Sequence, residues 1–202
     1  MIRNIVFDMG NVLMRWNPDA FLRAYFPDGE DCRAVGARLF GGEEWAALDA
    51  GAMEEDTALS RVLRDLPERL REDTARLFWE WHLHFPPIPE MNGLARELKG
   101  KGYRLYLLSN AGTRFRVYRE AIPCHDCLDG EIVSAFVRQV KPGRAIYETL
   151  LETYGLTAGE CFFIDDMPAN IDTAKALGMS GFVYAGDTGA LREVLCEAGV
   201  DA

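Results

Sequence analysis

Near-continuous apolar runs that alternate with amphipathic helical stretches predict an α/β protein built on a doubly wound parallel sheet. Two further observations set its plan. Carboxylates stand where apolar runs end, at Asp8 and at Asp165-Asp166. Residues 15–88 carry helical periodicity with almost no strand signal, so a helical insertion interrupts the sheet after its first strand.

The first strand is expected at 2–7. Asn17-Pro18 then reads as a helix start, with asparagine as cap and proline in the first turn. Amphipathic patterns follow at 18–25, 43–48, 53–66 and 68–85, and Pro86, Pro87 and Pro89 mark the return to the sheet domain. The expected division is therefore a core at 1–14 and 87–202 and a helical cap at 15–86. Within the core, helices are expected at 89–101, 111–120, 143–154, 168–178 and 188–198. Strands are expected at 104–109, 130–134 (the weakest signal), 161–164 and 181–184. Gly102 and Gly178 each close a helical pattern just before a strand.

A chain of 202 residues fits one core domain with a smaller insertion. Hydrophobic residues at 49% and charged residues at 27% are those of a water-soluble globular protein. A formal charge of −10 argues against a general binder of nucleic acid or membrane surfaces. A small phosphorylated substrate, which senses only the local field, stays open. Five cysteines with no leader pattern before the first strand suggest the reducing cytoplasm. No apolar run approaches the roughly 20 residues that span a bilayer. Nothing in the chain fixes an oligomeric state.

Four segments carry candidate chemistry. In FDMGNV, Asp8 suits a nucleophile, a metal ligand or a turn residue, and Gly10 would let the backbone turn beside an anion. In LYLLSNAG, Ser109 and Asn110 end a buried run just before a helix, where they could hold phosphate oxygens or simply cap that helix. In VKPG, Lys141 is one of only four lysines against eighteen arginines. Its ammonium could balance a carboxylate and a phosphate, or sit in an exposed loop. In FFIDDMPAN, two adjacent acids after an apolar run are costly unless paired or metal-bound; helix capping is the alternative. Asn170, one turn on, could orient either acid. Three carboxylates at neighbouring strand ends favour a hard divalent cation such as Mg²⁺.

The order Asp, Ser-Asn, Lys-Pro, Asp-Asp at successive strand ends resembles the haloacid dehalogenase-like hydrolase superfamily over nearly the whole chain. The insertion after the first motif matches its subgroup with a helical cap. FDMGNV and the segment GGEEWAALDAGAMEED, with Trp45, Asp49 and Gly51, are similar to a phosphatase branch. That branch holds glucose-1-phosphate phosphatase-like proteins and the N-terminal phosphatase domain of soluble epoxide hydrolases. The resemblance implies a Rossmann-like core and Mg²⁺-dependent hydrolysis of a small phosphorylated metabolite, sugar phosphates among the candidates. It implies Asp8 as nucleophile, forming an aspartyl-phosphate. Asp8, the Gly10 carbonyl and Asp166 would ligate Mg²⁺, with Asp165 ligating directly or through water. Ser109, Asn110 and Lys141 would hold the phosphoryl group. One departure stands out: Gly10 occupies the position where the superfamily's phosphatases carry a second Asp as general acid and base, help worth about 10²–10⁴ in rate. A water or a cap residue could supply the proton instead.

Other signals weigh less. Cys124-His125-Asp126-Cys127 has zinc-like spacing without a second ligand pair, and a loop is expected there. His82 and His84 are expected to pack the hinge, Arg114 and Arg116 to face solvent, and Trp45 to close over substrate or pack between cap helices. Two rival functions remain: a metal-independent haloacid dehalogenase, and a catalytically weak binding or regulatory protein.

Overall fold

The computed structural model describes residues 1–202. Its strands β1 (Asn4–Phe7), β2 (Arg104–Ser109), β3 (Gly130–Val133), β4 (Cys161–Asp165) and β5 (Ser180–Val183) form one sheet in the order β3-β2-β1-β4-β5. Every pairing is parallel. The three central strands β1, β2 and β4 are covered on both faces, which is why they read as near-unbroken apolar runs, while the edge strands β3 and β5 are half-buried. From β1 the chain winds outward through β2 and β3 on one side and through β4 and β5 on the other. Ligand crevices form at the carboxyl ends of strands where a sheet reverses in this way.

The register brings the site together. Phe7 lies level with Leu107 on one side and Ile164 on the other. One residue further, Asp8 reaches the crevice beside the ends of both neighbours, and its N–H donates to the Ile164 carbonyl at 2.8 Å.

The insertion after β1 holds five helices, α1 (Pro18–Arg23), α2 (Gly29–Leu39), α3 (Glu43–Asp49), α4 (Glu55–Arg64) and α5 (Glu68–Glu80). Asn17 caps α1 as expected, its side chain accepting from the Ala20 N–H at 3.2 Å. The helix α2 lies in a stretch for which no helix is expected. It starts at Asp28, whose carboxylate accepts from Glu30 and Asp31 N–H groups, and only Val35 and Leu39 are buried along it. Gly36 masks the pattern: it brings α2 against Leu22, where a Cβ would come within 2.7 Å of Leu22 Cδ1. The chain enters and leaves the insertion side by side, with Arg15 N–H donating to Pro86 and Ile88 N–H to Leu13, both at 2.8 Å.

The core helices are α6 (Pro89–Gly100), α7 (Phe115–Tyr118), α8 (Ser134–Val137), α9 (Arg144–Tyr154), α10 (Pro168–Ala176) and α11 (Thr188–Glu197). The helix expected at 111–120 shrinks to the single turn α7. Its first residues are held by other elements: Ala111 N–H donates to Ser134 Oγ at 2.9 Å, and Gly112 packs against the end of α3. Tertiary partners override helix propensity here. One face of the sheet, with Ile5 and Phe7, shares a continuous apolar cluster with Phe21, Val35, Leu39, Val62 and Leu77 of the insertion. The other face, with Val6 and Phe163, packs on Ile146, Tyr147 and Leu150 of α9.

Candidate active site

Lys141 organises the crevice. Its ammonium lies 2.8 Å from Asp8 Oδ1 and 2.7 Å from Asp165 Oδ2, and it donates to the Leu108 carbonyl at 2.8 Å. All three donors are thus engaged, and the side chain is 1% exposed. Of the two readings open for Lys141, the exposed loop lysine is excluded.

The two adjacent acids have different surroundings. Asp165 accepts from Lys141, from Met167 N–H at 2.8 Å, and from Asn170 Nδ2 at 2.8 and 3.0 Å on its two oxygens. A carboxylate offers about four acceptor positions, so Asp165 is saturated by protein donors. It does not line the cavity at the strand ends, whereas Asp8 and Asp166 do. Asp166 is half-buried and accepts from Asn11 Nδ2 at 2.9 Å. Oxygens of Asp8, Asp165 and Asp166 all lie within 4.8 Å of one another. Asp8 is pushed up to about 6, chiefly by burial and further by the charge of Asp165, with Lys141 pulling the other way. Burial also raises Asp166. The cluster carries more negative charge than one lysine balances, the electrostatics of a cation site.

Two expectations at this site need revision. The sharp backbone turn falls at Asn11, with φ of 54°, and not at Gly10. A Cβ at position 10 would meet only Trp16 Cβ at 3.9 Å, so glycine there is not forced by sterics. Asn110 does not aim its amide at the crevice alone: Nδ2 donates to the Lys141 carbonyl at 2.9 Å while Oδ1 accepts from the Lys141 N–H at 2.8 Å. It clasps the main chain that presents the lysine. Ser109 is buried at the end of β2.

Above these groups lies a cavity of about 320 Å³. Its floor includes Asp8, Gly10, Asn110, Lys141 and Asp166; its walls include Trp16, Phe40, Trp45, Trp81, Phe85 and Tyr118. The rings pack edge to face, with Trp16 and Trp81 centroids 5.3 Å apart and Phe40 and Trp45 4.8 Å apart. Trp45 thus both packs and lines the cavity. Arg114 also lines it, contrary to the expectation of solvent exposure. Its side chain is 17% exposed, stacks on Trp79 at 4.7 Å and donates to the Trp79 carbonyl at 2.6 Å. Arg116 stacks on Phe136 at 4.5 Å. His82 stacks on Tyr118 and His84 meets Tyr25 edge-on, the packing role expected of both. The segment 124–127 forms a short 3₁₀ turn, its His125 paired with Glu131 at 2.9 Å and its Asp126 with Arg96 at 2.7 Å.

Asn11 and Tyr118 reach this site without standing out in the sequence as chemistry, and Asp49 is marked there only by the likeness of its segment to the phosphatase branch, with no role. Asn11 follows the motif glycine, and an asparagine is one of the few residues at ease with positive φ. Asp49 and Tyr118 come from helices whose cavity-facing side no spacing rule identifies.

The chain is similar in sequence and fold to known proteins. The chain is 31% identical to a sesquiterpene phosphatase from Aspergillus oryzae over 87% of this chain and 86% of that one. It is 31% identical to a haloacetate dehalogenase from Moraxella sp., over 88% and 83%. The fold matches that of a HAD family enzyme from Bacteroides thetaiotaomicron, solved as a complex with magnesium and inorganic phosphate, with a TM-score of 0.71 at 20% identity over 95% of this chain and 99% of that one. The family model for haloacid dehalogenase-like hydrolases matches residues 2–178, which takes in all four strand-end motifs. The chain belongs to the haloacid dehalogenase-like hydrolases.

Proposed function

We propose that this hydrolase is a Mg²⁺-dependent phosphomonoesterase acting on a small phosphorylated metabolite. The observation that carries the reading is a buried lysine between Asp8 and Asp165, with Asp166 alongside, opening onto one cavity. A relative named as a phosphatase and a fold-mate that holds magnesium with phosphate support it. The donor set fits the ion: Asp8 and Asp166 are hard oxygen donors facing the cavity, both raised by burial, and the Gly10 carbonyl is the third candidate. When bound, Mg²⁺ would neutralise these carboxylates and phosphoryl oxygens.

In this reading Asp8 attacks phosphorus through the oxygen not paired with Lys141, and the ester oxygen departs. Water then cleaves the aspartyl-phosphate to release inorganic phosphate and regenerate the carboxylate. Lys141 balances charge on the transferring group. Asp165 and Asn170 keep the lysine aimed, and Asn110 fixes its main chain. Ser109 ends β2 buried beneath the cavity, which it does not line, so a phosphoryl oxygen would meet it only from the Asn110 side.

Residues 15–86 act as the cap over a core of 1–14 and 87–202. Their aromatic rings favour an apolar leaving group, so alkyl, isoprenoid or aryl monophosphates fit better than the sugar phosphates considered from sequence. With five unpaired thiols and no helix long and apolar enough to cross a membrane, we place the protein in the cytoplasm.

The test is direct. The purified protein should hydrolyse p-nitrophenyl phosphate with Mg²⁺, and lose this with a chelator or in Asp8→Asn. Dodecyl phosphate should exceed glucose 1-phosphate in kcat/KM. The haloacetate dehalogenase relative makes one other outcome specific: release of halide from chloroacetate without metal would replace this reading.

A further inference from the structure

Gly10 leaves the proposed reaction without a proton source on the first motif, so the ester oxygen must be protonated from elsewhere. The cavity wall carries an acid at the end of α3. Asp49, its last residue, is half-buried and lines the same cavity as Asp8. The Gly112 N–H, three residues beyond Ser109, stands close enough to its carboxyl to favour the charged form.

The segment around it is pinned to the core. Ser134 Oγ accepts from Ala111 N–H at 2.9 Å and donates to the Asp49 carbonyl, tying both chains through one hydroxyl. Gly51, with φ of +64°, passes so close to Ala135 that a Cβ would lie 2.2 Å from its carbonyl oxygen. A Cβ at Gly112 would lie 3.6 Å from the Leu48 carbonyl. A carboxyl on this rim is therefore held at a fixed place relative to the Ser109–Asn110 segment, as a proton donor should be.

We propose that Asp49 is the general acid and base of this enzyme, taking over the task that Gly10 cannot perform. The inference rests on the phosphatase reading. As Asp8 forms its bond to phosphorus and the P–O ester bond breaks, the Asp49 carboxyl hydrogen passes to the departing oxygen, releasing an alcohol. Asp49, now a carboxylate, then takes a proton from the water that attacks the aspartyl-phosphate. One water is consumed, and both carboxyl groups return to their starting states.

Burial raises Asp49 to about 7, so it retains a proton near neutral pH while its conjugate base stays accessible. Tyr118, on α7, is the titratable neighbour: burial raises it, and the charges of Asp49 and Asp8 both add to that. One ring hydroxyl thus feels both carboxylates. Arg114 and Glu55 line the same cavity but pair with each other at 3.5 Å.

The experiment compares a poor leaving group with a good one. With Mg²⁺, Asp49→Asn should lower kcat/KM for dodecyl phosphate by about 10²–10³-fold and for p-nitrophenyl phosphate by less than about 10-fold, because nitrophenolate departs unprotonated. The fall of wild-type alkyl-ester kcat/KM as pH rises past the Asp49 value should vanish in the variant. Gly10→Asp should restore alkyl-ester turnover to Asp49→Asn, since position 10 has room for a Cβ. Equal losses on both esters, or none, would overturn the assignment, as would Tyr118→Phe giving the selective loss in place of Asp49→Asn. A wild-type protein inert on both esters would remove the phosphatase reading and this proposal with it.

Discussion

The floor and the wall of the cavity are built on different physics. On the floor, Asp8 and Lys141, with Asp165 beneath them, are fixed by strand ends and by hydrogen bonds of 2.7–2.8 Å, and every donor of the lysine is engaged. The wall is a set of aromatic rings 5–6 Å apart, contributed mostly by α1–α5 and their connections, with Asp49 as the acid among them that no arginine pairs. Floor groups are placed by backbone register and tolerate no shift of an ångström. Wall groups are placed by packing, which accepts substitutions of similar volume. In the proposed function the floor sets the reaction and the wall sets the leaving group.

The largest expected effect breaks the floor. Asp8→Asn should abolish turnover of every phosphate ester, a loss of at least about 10³-fold in kcat. It should leave the fold intact, because Lys141 keeps Asp165 and the Leu108 carbonyl. A variant that retained nucleophilic turnover would end the covalent mechanism; trapping of phosphate on the wild-type protein alone is the check.

The adjacent acids sharpen the comparison. Asp165→Asn removes a saturated partner from a buried lysine and should cost about 3 kcal/mol in denaturant unfolding, with activity lost in parallel. Asp166→Asn relieves a half-buried charge and should leave metal-free stability unchanged or higher. It should also abolish the rise in melting temperature that Mg²⁺ gives the wild type. If both variants lost stability equally, the division of labour drawn between them would be wrong.

This contrast also explains what the sequence disclosed. The sheet was legible because its central strands are buried on both faces, and so were the acids of the floor, because a carboxylate pair after an apolar run is costly unless compensated. What separates Asp165 from Asp166 was not legible, since it depends on Asn170 and Met167 returning to one acid and Asn11 reaching the other. The existence of the helical insertion was readable from its periodicity. Its cavity face was not, because Trp45, Trp81 and Tyr118 would look the same if they served only packing. The loop after Ser109 misread as helix for a related reason: Ser134, 23 residues away, holds Ala111 in place.

A smaller effect tests the wall. Trp45→Ala should raise KM for dodecyl phosphate about 10-fold, the order expected for removing part of an apolar wall. Inhibition by inorganic phosphate should change less than about twofold, since phosphate meets only the floor. Equal weakening of both would mean that Trp45 supports the floor rather than the leaving group.

The smallest effect lies in the pH dependence of stability, and it ties floor and wall together. Asp8, at about 6, and Asp49, at about 7, both hold protons in the folded state more tightly than an ordinary carboxyl at 3.8. Between those values and 3.8 the native state binds more protons than the unfolded one, so stability falls as pH rises. The contribution is complete below about pH 4 and is lost by about pH 7. Asp31, Glu44 and Glu97 are lowered by arginine partners and act in the opposite direction, so the total curve mixes both. The difference between wild type and Asp49→Asn isolates one group: without metal, the variant should gain relative stability steadily from pH 4 to pH 7.5. A cation favours the ionised form of Asp8 and not of Asp49, which is outside the acidic cluster. Saturating Mg²⁺ should therefore flatten the wild-type decline only in part and leave that difference curve in place. A difference curve erased by Mg²⁺ would put Asp49 within the ion's field, and the separation of wall from floor would fail at that residue.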